Sequence, residues 1–285
     1  MGKKSRRNKE AKPKRIRIQF VERPFEGLSF ETELVAMREI LPAATLKVRT
    51  NSEYGNEELL IVSMLPQMVG AVRRSDGVLL VAMQTVMNSG DLSLDVADRI
   101  IQGLELQPSE TFNQIDEPQS GIRLQDVLDL DFASEFTLAE DLAFWVGVDE
   151  LEDPQTKQAI AQTKDQLIAT KEINGVKGAY WTKMQRLFLR WVRPEAQDTV
   201  LNAIARLQNR RELNFGEARF VGAFRALGLL IPVFELADGV EADDLAAPLA
   251  EFAQKLDAAI SDETPLDPEE RRAKAGIISR QVTLR

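Results

Sequence analysis

The chain contains no cysteine and no histidine. The first absence excludes disulfides, thiolate zinc sites and cysteine nucleophiles. The second removes the usual general base near neutral pH and the commonest metal ligand. Together they exclude Ser-His-Asp and Cys-His catalytic machinery. Long apolar runs are missing as well, and no stretch approaches the ~20 residues that span a bilayer. No apolar core follows the basic N-terminal residues, so no secretory signal is expected. Arg6 stands where a myristoylation signal wants Ser or Thr. A cytoplasmic protein without membrane insertion is the expectation. No Walker-type phosphate loop, Rossmann glycine fingerprint, Gly-x-Ser-x-Gly elbow or Ser-x-x-Lys pair occurs. No cofactor and no metal site is expected, although carboxylates, lysines and tyrosines leave room for an enzyme of another kind.

Charge is present in abundance and unevenly placed. Residues 1–17 hold nine cations, Lys3, Lys4, Arg6, Arg7, Lys9, Lys12, Lys14, Arg15 and Arg17, against the single acid Glu10, a charge of +8. The whole chain carries −9, so the remaining body carries −17. Such a body repels nucleic acid and anionic lipid, whereas the tail attracts both. The tail has almost no apolar side chains, cannot support a core and is expected to be disordered. Its nine cations are the candidate nucleic-acid-binding residues, each able to neutralise a phosphate of RNA without reading sequence. No aromatic residues interleave them, so base stacking is not expected. A purely solubilising tail is the alternative.

The 285 residues suggest two compact units. In the first, residues 18–106, Ser29 opens a helical pattern through Leu34, Met37, Ile40 and Leu41 that Pro42 stops. Strands are expected at Thr45–Arg49 and Leu59–Leu65. Val69–Arg73 and Val78–Thr85 flank Ser75-Asp76-Gly77, a hairpin turn signal. Asp91 or Ser93 caps a helix carrying Val96, Ile100, Ile101 and Leu104. Residues 107–154 are expected as linker and irregular segment, with one short helix at Leu124–Leu128. In the second unit, residues 155–285, Asp153 and Pro154 start a helix. Tyr180–Val192 reads as a hairpin burying Trp181, Leu187, Leu189 and Trp191. A helix with Val200, Leu201, Ile204 and Leu207 follows Pro194. A second hairpin, Ala218–Arg225 and Leu229–Leu236, turns at Gly228. A long helix carries Leu245, Leu249, Phe252, Leu256 and Ile260, and a terminal one starts at Asp267-Pro268 and ends at Gly276.

The fold class is therefore α+β, two units each with an antiparallel sheet and packed helices. An internal duplication is suggested by Val69-Gly70-Ala71-Val72-Arg73 beside Val221-Gly222-Ala223-Phe224-Arg225, each followed by a glycine, an apolar strand and an amphipathic helix. Upstream, Leu59–Leu65 matches Leu187–Arg193. Any hairpin-plus-helix unit gives a similar match, so both explanations stay open.

Other chemistry is weak. Ile173-Asn174-Gly175-Val176-Lys177-Gly178 contains the Gly-x-x-Gly of KH RNA-binding loops, but strand-like residues follow it and a plain turn is expected. Asp126, Asp129 and Asp131 fit no Ca²⁺ loop. They and the cluster Asp149, Glu150, Glu152 and Asp153 read as solvated charge. Trp181 and Trp191 read as core, and neither Tyr54 nor Tyr180 has a neighbour marking it as acid or base.

Several strings have a family resemblance. They are Arg23-Pro24-Phe25-Glu26-Gly27-Leu28, Val35-Ala36-Met37-Arg38-Glu39, Leu41-Pro42-Ala43-Ala44-Thr45, Ser89-Gly90-Asp91-Leu92-Ser93, Arg123-Leu124-Gln125-Asp126, Ala179-Tyr180-Trp181, Val221–Arg225 with Pro232-Val233, and the end Ser279–Leu284. Together these resemble an uncharacterised actinobacterial family of unknown function, over almost the whole chain from residue 22. Some relatives carry a cysteine-rich motif like the zinc-binding tail of the preprotein translocase motor SecA and are labelled translocase-like. This chain has a basic tail there and no cysteine or histidine, so neither the zinc site nor the label carries over.

Three functions remain. The first is a non-catalytic binding or adaptor protein whose tail contacts RNA or ribosomes. The second is a chaperone-like protein-binding module linked to secretion. Its basis is the order α-β-β-α-β-β-α in the second half, which is similar to type III secretion chaperones. The third is a carboxylate-based, metal-dependent enzyme.

Overall fold

The computed structural model describes residues 18–279. The basic tail and all nine of its cations lie outside the described residues, as does the stretch 280–285.

The first unit runs α1 (Glu31–Glu39), β1 (Ala44–Arg49), β2 (Glu58–Val62), β3 (Ala71–Arg73), β4 (Leu79–Ala82) and α2 (Leu92–Leu104). It continues with β5 (Thr111–Phe112), α3 (Leu124–Val127) and β6 (Glu135–Leu138). The strands form a six-stranded sheet ordered β5-β3-β4-β2-β1-β6. This sheet is mixed, not antiparallel as expected, because β2 and β4 pair in parallel, Leu60 opposite Leu80. The cause is the connection. Residues 63–70 are too short for a crossover, so β3 returns antiparallel to β2 one place away. The hairpin turn at Gly77, φ 89°, then drops β4 into the gap. The segment expected as linker and irregular chain supplies both edges, β5 against β3 and β6 against β1. Further along, Phe144 and Trp145 cover Val62, Leu65, Leu80 and Ala82 on the sheet's outer face.

The second unit runs α4 (Pro154–Lys164), β7 (Ala169–Glu172), β8 (Ala179–Lys183), β9 (Leu187–Trp191), α5 (Gln197–Asn209), β10 (Arg219–Ala226), β11 (Leu229–Glu235), α6 (Ala242–Ile260) and α7 (Pro268–Ser279). Its five strands form an antiparallel sheet ordered β10-β11-β9-β8-β7. The expected element order holds with one strand added: β7 is Ala-Thr-Lys-Glu, mostly exposed, and offers no alternation to read. The terminal helix passes through Gly276 to Ser279, because Ile277 is buried in the core and holds the last turn.

Both units place a hairpin before a helix, with Gly77 and Gly228 at positive φ in the turns. Both also set the strands in the same spatial sequence, β3-β4-β2-β1 and β10-β11-β9-β8. The upstream match between Leu59–Leu65 and Leu187–Arg193 does not extend to direction. β2 is parallel to β4, whereas β9 is antiparallel to β11. In the second unit, residues 192–218 include α5, long enough for a crossover that lets β10 run parallel to β9.

Helix α1 lies where the units meet. Leu34, Val35, Ala36 and Met37 are all fully buried, and four consecutive residues cover every side of a helix. They belong to one cluster that includes Ile61 and Val81 of the first sheet, Tyr180 and Ile231 of the second, and Val192 just after β9. Burying Leu34, Val35 and Met37 contributes roughly 1.5–3 kcal/mol each. The far face of the second sheet carries α5, α6 and α7, where Phe252 stacks on Phe215, meets Phe234 edge to face and lies tilted against Trp191. Among the described residues no helix is long and apolar enough to cross a membrane.

Candidate functional site

Three of the strings singled out in the sequence, around Pro24, Asp91 and Arg123, meet in the first unit. The carbonyl of Pro24 accepts from Nη2 of Arg123 and Nε2 of Gln125, each at 2.9 Å. Gln125 Oε1 accepts from Ser93 Oγ at 2.6 Å, and Ser93 Oγ accepts in turn from the backbone N–H of Leu124 at 2.9 Å. Arg123 pairs with Asp91, whose side chain caps α2 through the N–H of Ser93. Phe25 is fully buried beside them.

Arg23 extends this joint to the second unit. It grips Glu31 with two prongs and donates to the Pro194 carbonyl at 2.9 Å. The hydrogen bond to Glu31 raises the Arg23 pKa, against the opposing effect of burial. Gly228 lies beneath Arg23 so closely that a Cβ there would sit 2.4 Å from the Arg23 Cβ. Lys177 pairs with Glu33 of α1 at 2.9 Å. At Gly178, a Cβ would meet the Val192 carbonyl at 2.7 Å. The Gly175–Gly178 loop is thus a turn feeding β8, as expected, and its second glycine allows close packing on β9.

Between α1, this loop and α6 lies a cleft of about 380 Å³. Leu28, Val176, Trp191, Pro194, Ala250 and Ala253 give it apolar walls. Arg193 lies over the Trp191 ring at 4.6 Å and bonds Glu195 and Asp257. Burial lowers the Arg193 pKa, but those two carboxylates more than offset it, so the pKa stands above the ordinary value. Behind the cleft, burial and the charges of Glu172 and Glu33 push the Tyr180 pKa upward, so it stays a neutral phenol. Glu172 is itself raised by burial and by Glu33.

Most of the carboxylates considered for metal chemistry hold structural partners. Asp129 accepts from Arg49, Asp126 caps α3, and Asp131 bonds Asp129 through its own N–H. Glu150 accepts from Ser75, Glu152 pairs with Lys157, and Asp153 caps α4. Trp181 and Trp191 are buried, with their indole N–H groups on the carbonyls of Val240 and Lys177. Among the described residues no three acidic side chains converge as a metal site. The sequence reading missed Arg99, which is fully buried in α2. An arginine inside an otherwise apolar helical face was its only signal.

A family model matches residues 24–285, the whole described body from Pro24 onward. The chain belongs to the family of unknown function DUF5926. No curated protein and no solved structure matches it. The strings that build the junction lie within the DUF5926 match apart from Arg23, and the basic tail precedes it.

Proposed function

We propose that this DUF5926 protein is a non-catalytic cytoplasmic binding or adaptor protein whose basic N-terminal segment contacts RNA or ribosomes. Charge segregation carries the reading: +8 on residues 1–17 against −17 on the remainder. A body of that sign repels phosphate, so attraction has to come from the segment. The junction supports binding over catalysis, because its charged side chains are committed to one another and to backbone carbonyls. Full-length protein is compared with a variant in which the nine cations are glutamine, by anisotropy titration on single-stranded RNA. Binding is expected only for the native chain, with log affinity falling by roughly 0.7 per phosphate contact for each unit of log salt. Equal binding by both proteins removes the role of the segment.

A second reading, a chaperone-like module that holds a protein segment and is linked to secretion, is favoured by the cleft at the junction. Its apolar walls and polar rim suit a single side chain of a partner. Ala253→Trp fills this cleft from α6, and abolished partner binding with an unchanged fold is the result expected. A carboxylate-based enzyme is disfavoured because the acids of the two clusters that do bond serve caps, turns and ion pairs, and no three converge among the described residues.

A further inference from the structure

A groove of about 470 Å³ runs between α2 and the 112–122 segment. It is lined by the apolar side chains of Ile101, Phe112, Ile115 and Ile122 together with the acids Asp98, Asp116 and Glu117. Ile115 is 78% exposed, which is unusual for an isoleucine in a fixed place. The place is fixed by Arg99. Its guanidinium donates to Gln114 Oε1 at 2.6 Å, to Thr85 Oγ1 at 2.7 Å and to the Ala82 carbonyl at 2.8 Å. Gln114 then donates to Asp98 at 2.8 Å, tying the segment to α2. The groove is preformed and presents apolar and acidic side chains together.

We infer that the chain's own basic segment occupies this groove, with Ile16 against its isoleucines and Arg15 and Arg17 against Asp98, Asp116 and Glu117. Three observations select this occupant. The chain enters beside α2, where the N–H of Val21 donates to the Gly90 carbonyl at 3.0 Å. Asp98 and Gln102 stand seven and eleven residues beyond Asp91, on the same helical face and roughly 10–17 Å along the axis. From Phe20 back to Ile16 the chain reaches at most ~14 Å, and back to Lys12 ~28 Å, at about 3.5 Å per residue. Fully extended, the chain leaving Phe20 therefore brings Ile16 to the Asp98 end of the groove and the residues back to Lys12 as far as its Gln102 end. Second, the charges are complementary, and the tether gives the segment an effective concentration in the millimolar range. Third, Arg15-Ile16-Arg17 sets one branched apolar side chain between two cations, the composition that matches a groove lined by isoleucines and carboxylates. Docking would withhold the cations from phosphate, so the groove and RNA compete. That consequence rests on the RNA reading, whereas the contact itself does not.

The absence of cysteine makes a clean test possible in the full chain. A nitroxide on Ser5→Cys is expected to broaden the amide signals of residues 113–119 at low salt. Asp116→Asn with Glu117→Gln should weaken this by about threefold to tenfold, as loss of two exposed ion pairs implies. Ile115→Ser should weaken it too, and its exposed position keeps the variant folded. A matched pair on α6, Asp243→Asn with Glu251→Gln, should leave it unchanged. No broadening at 113–119, or an equal loss in the α6 pair, overturns the inference, the latter by showing diffuse attraction to an acidic surface. Poly(U) should reverse the broadening, and the groove variant should bind poly(U) more tightly by a similar factor. Broadening that persists with no poly(U) binding upholds the groove contact and overturns the RNA reading instead.

Discussion

Arg23 and Glu31 form a two-pronged ion pair, both hydrogen bonds at 2.7 Å, and only 8% of the Glu31 side chain reaches solvent. The pair joins the entry of the first unit to the start of α1, and the same guanidinium holds the Pro194 carbonyl of the second unit. Arg23→Met leaves a buried carboxylate without compensation and is expected to cost about 3–5 kcal/mol. The double variant with Glu31→Met should recover most of the loss, because an apolar pair of similar volume tolerates burial. Urea denaturation of the two single variants and the double one measures the coupling. Strictly additive losses would show that the pair does not act as a unit.

Gly228 has φ 82° and its missing Cβ makes room for Arg23. Gly228→Ala combines a strained left-handed backbone, roughly 1–2 kcal/mol, with a clash against the Arg23 side-chain stem. Thermal unfolding should show a fall in Tm of several degrees. Gly77→Ala, at φ 89° with nothing within 4 Å, should lose only the backbone share. Equal losses at the two positions would remove the steric argument.

Burial lowers the pKa of Arg99 to about 10, yet it stays charged at neutral pH. Arg99→Met strips hydrogen bonds from Gln114, Thr85 and two backbone carbonyls, and is expected to cost about 3–5 kcal/mol. Amide exchange should quicken first in 82–86 and 112–116, the two stretches that Arg99 holds. Arg99→Lys keeps the charge without the planar fork and should fall between.

The pH dependence follows from six shifted carboxyl groups. Hydrogen bonds from Arg74, Arg49, Lys164 and Thr264 lower Asp76, Asp129, Glu140 and Asp262 respectively. A folded pKa below the unfolded one gives stability that is present above the ordinary carboxylate range and lost as pH falls through it. Asp95 and Glu172 are raised by burial and act in the opposite sense, their contribution fading as pH rises through the folded value. Stability in urea should therefore decline as pH drops below about 4, and Asp129→Asn should make that decline shallower. Between about pH 6 and 8 no histidine contributes. A fall in stability on raising the pH through that interval is expected to disappear in Asp95→Asn or Glu172→Gln if a raised carboxyl causes it.

The sequence by itself determined the local elements. Periodicity and capping residues placed α2 behind Asp91, α4 behind Asp153 and Pro154, and the hairpins at Gly77 and Gly228. These signals are short-range, a spacing or a φ angle, and need no partner from elsewhere in the chain. Composition alone also set the charge segregation and the loss of cysteine and histidine chemistry. Tertiary structure decided whatever depends on which surfaces meet. It alone shows α1 covered on both sides by the two sheets, and β5 and β6 recruited from an apparent linker. The parallel pairing of β2 with β4 also comes from assembly, because connection length fixes strand direction only once the neighbouring place is filled. The junction around Arg23 and the groove beside α2 have the same origin. Their partners lie far apart in sequence, from Pro24 to Gln125 and from Thr85 to Gln114, and backbone carbonyls that accept side chains leave no mark in the residue pattern.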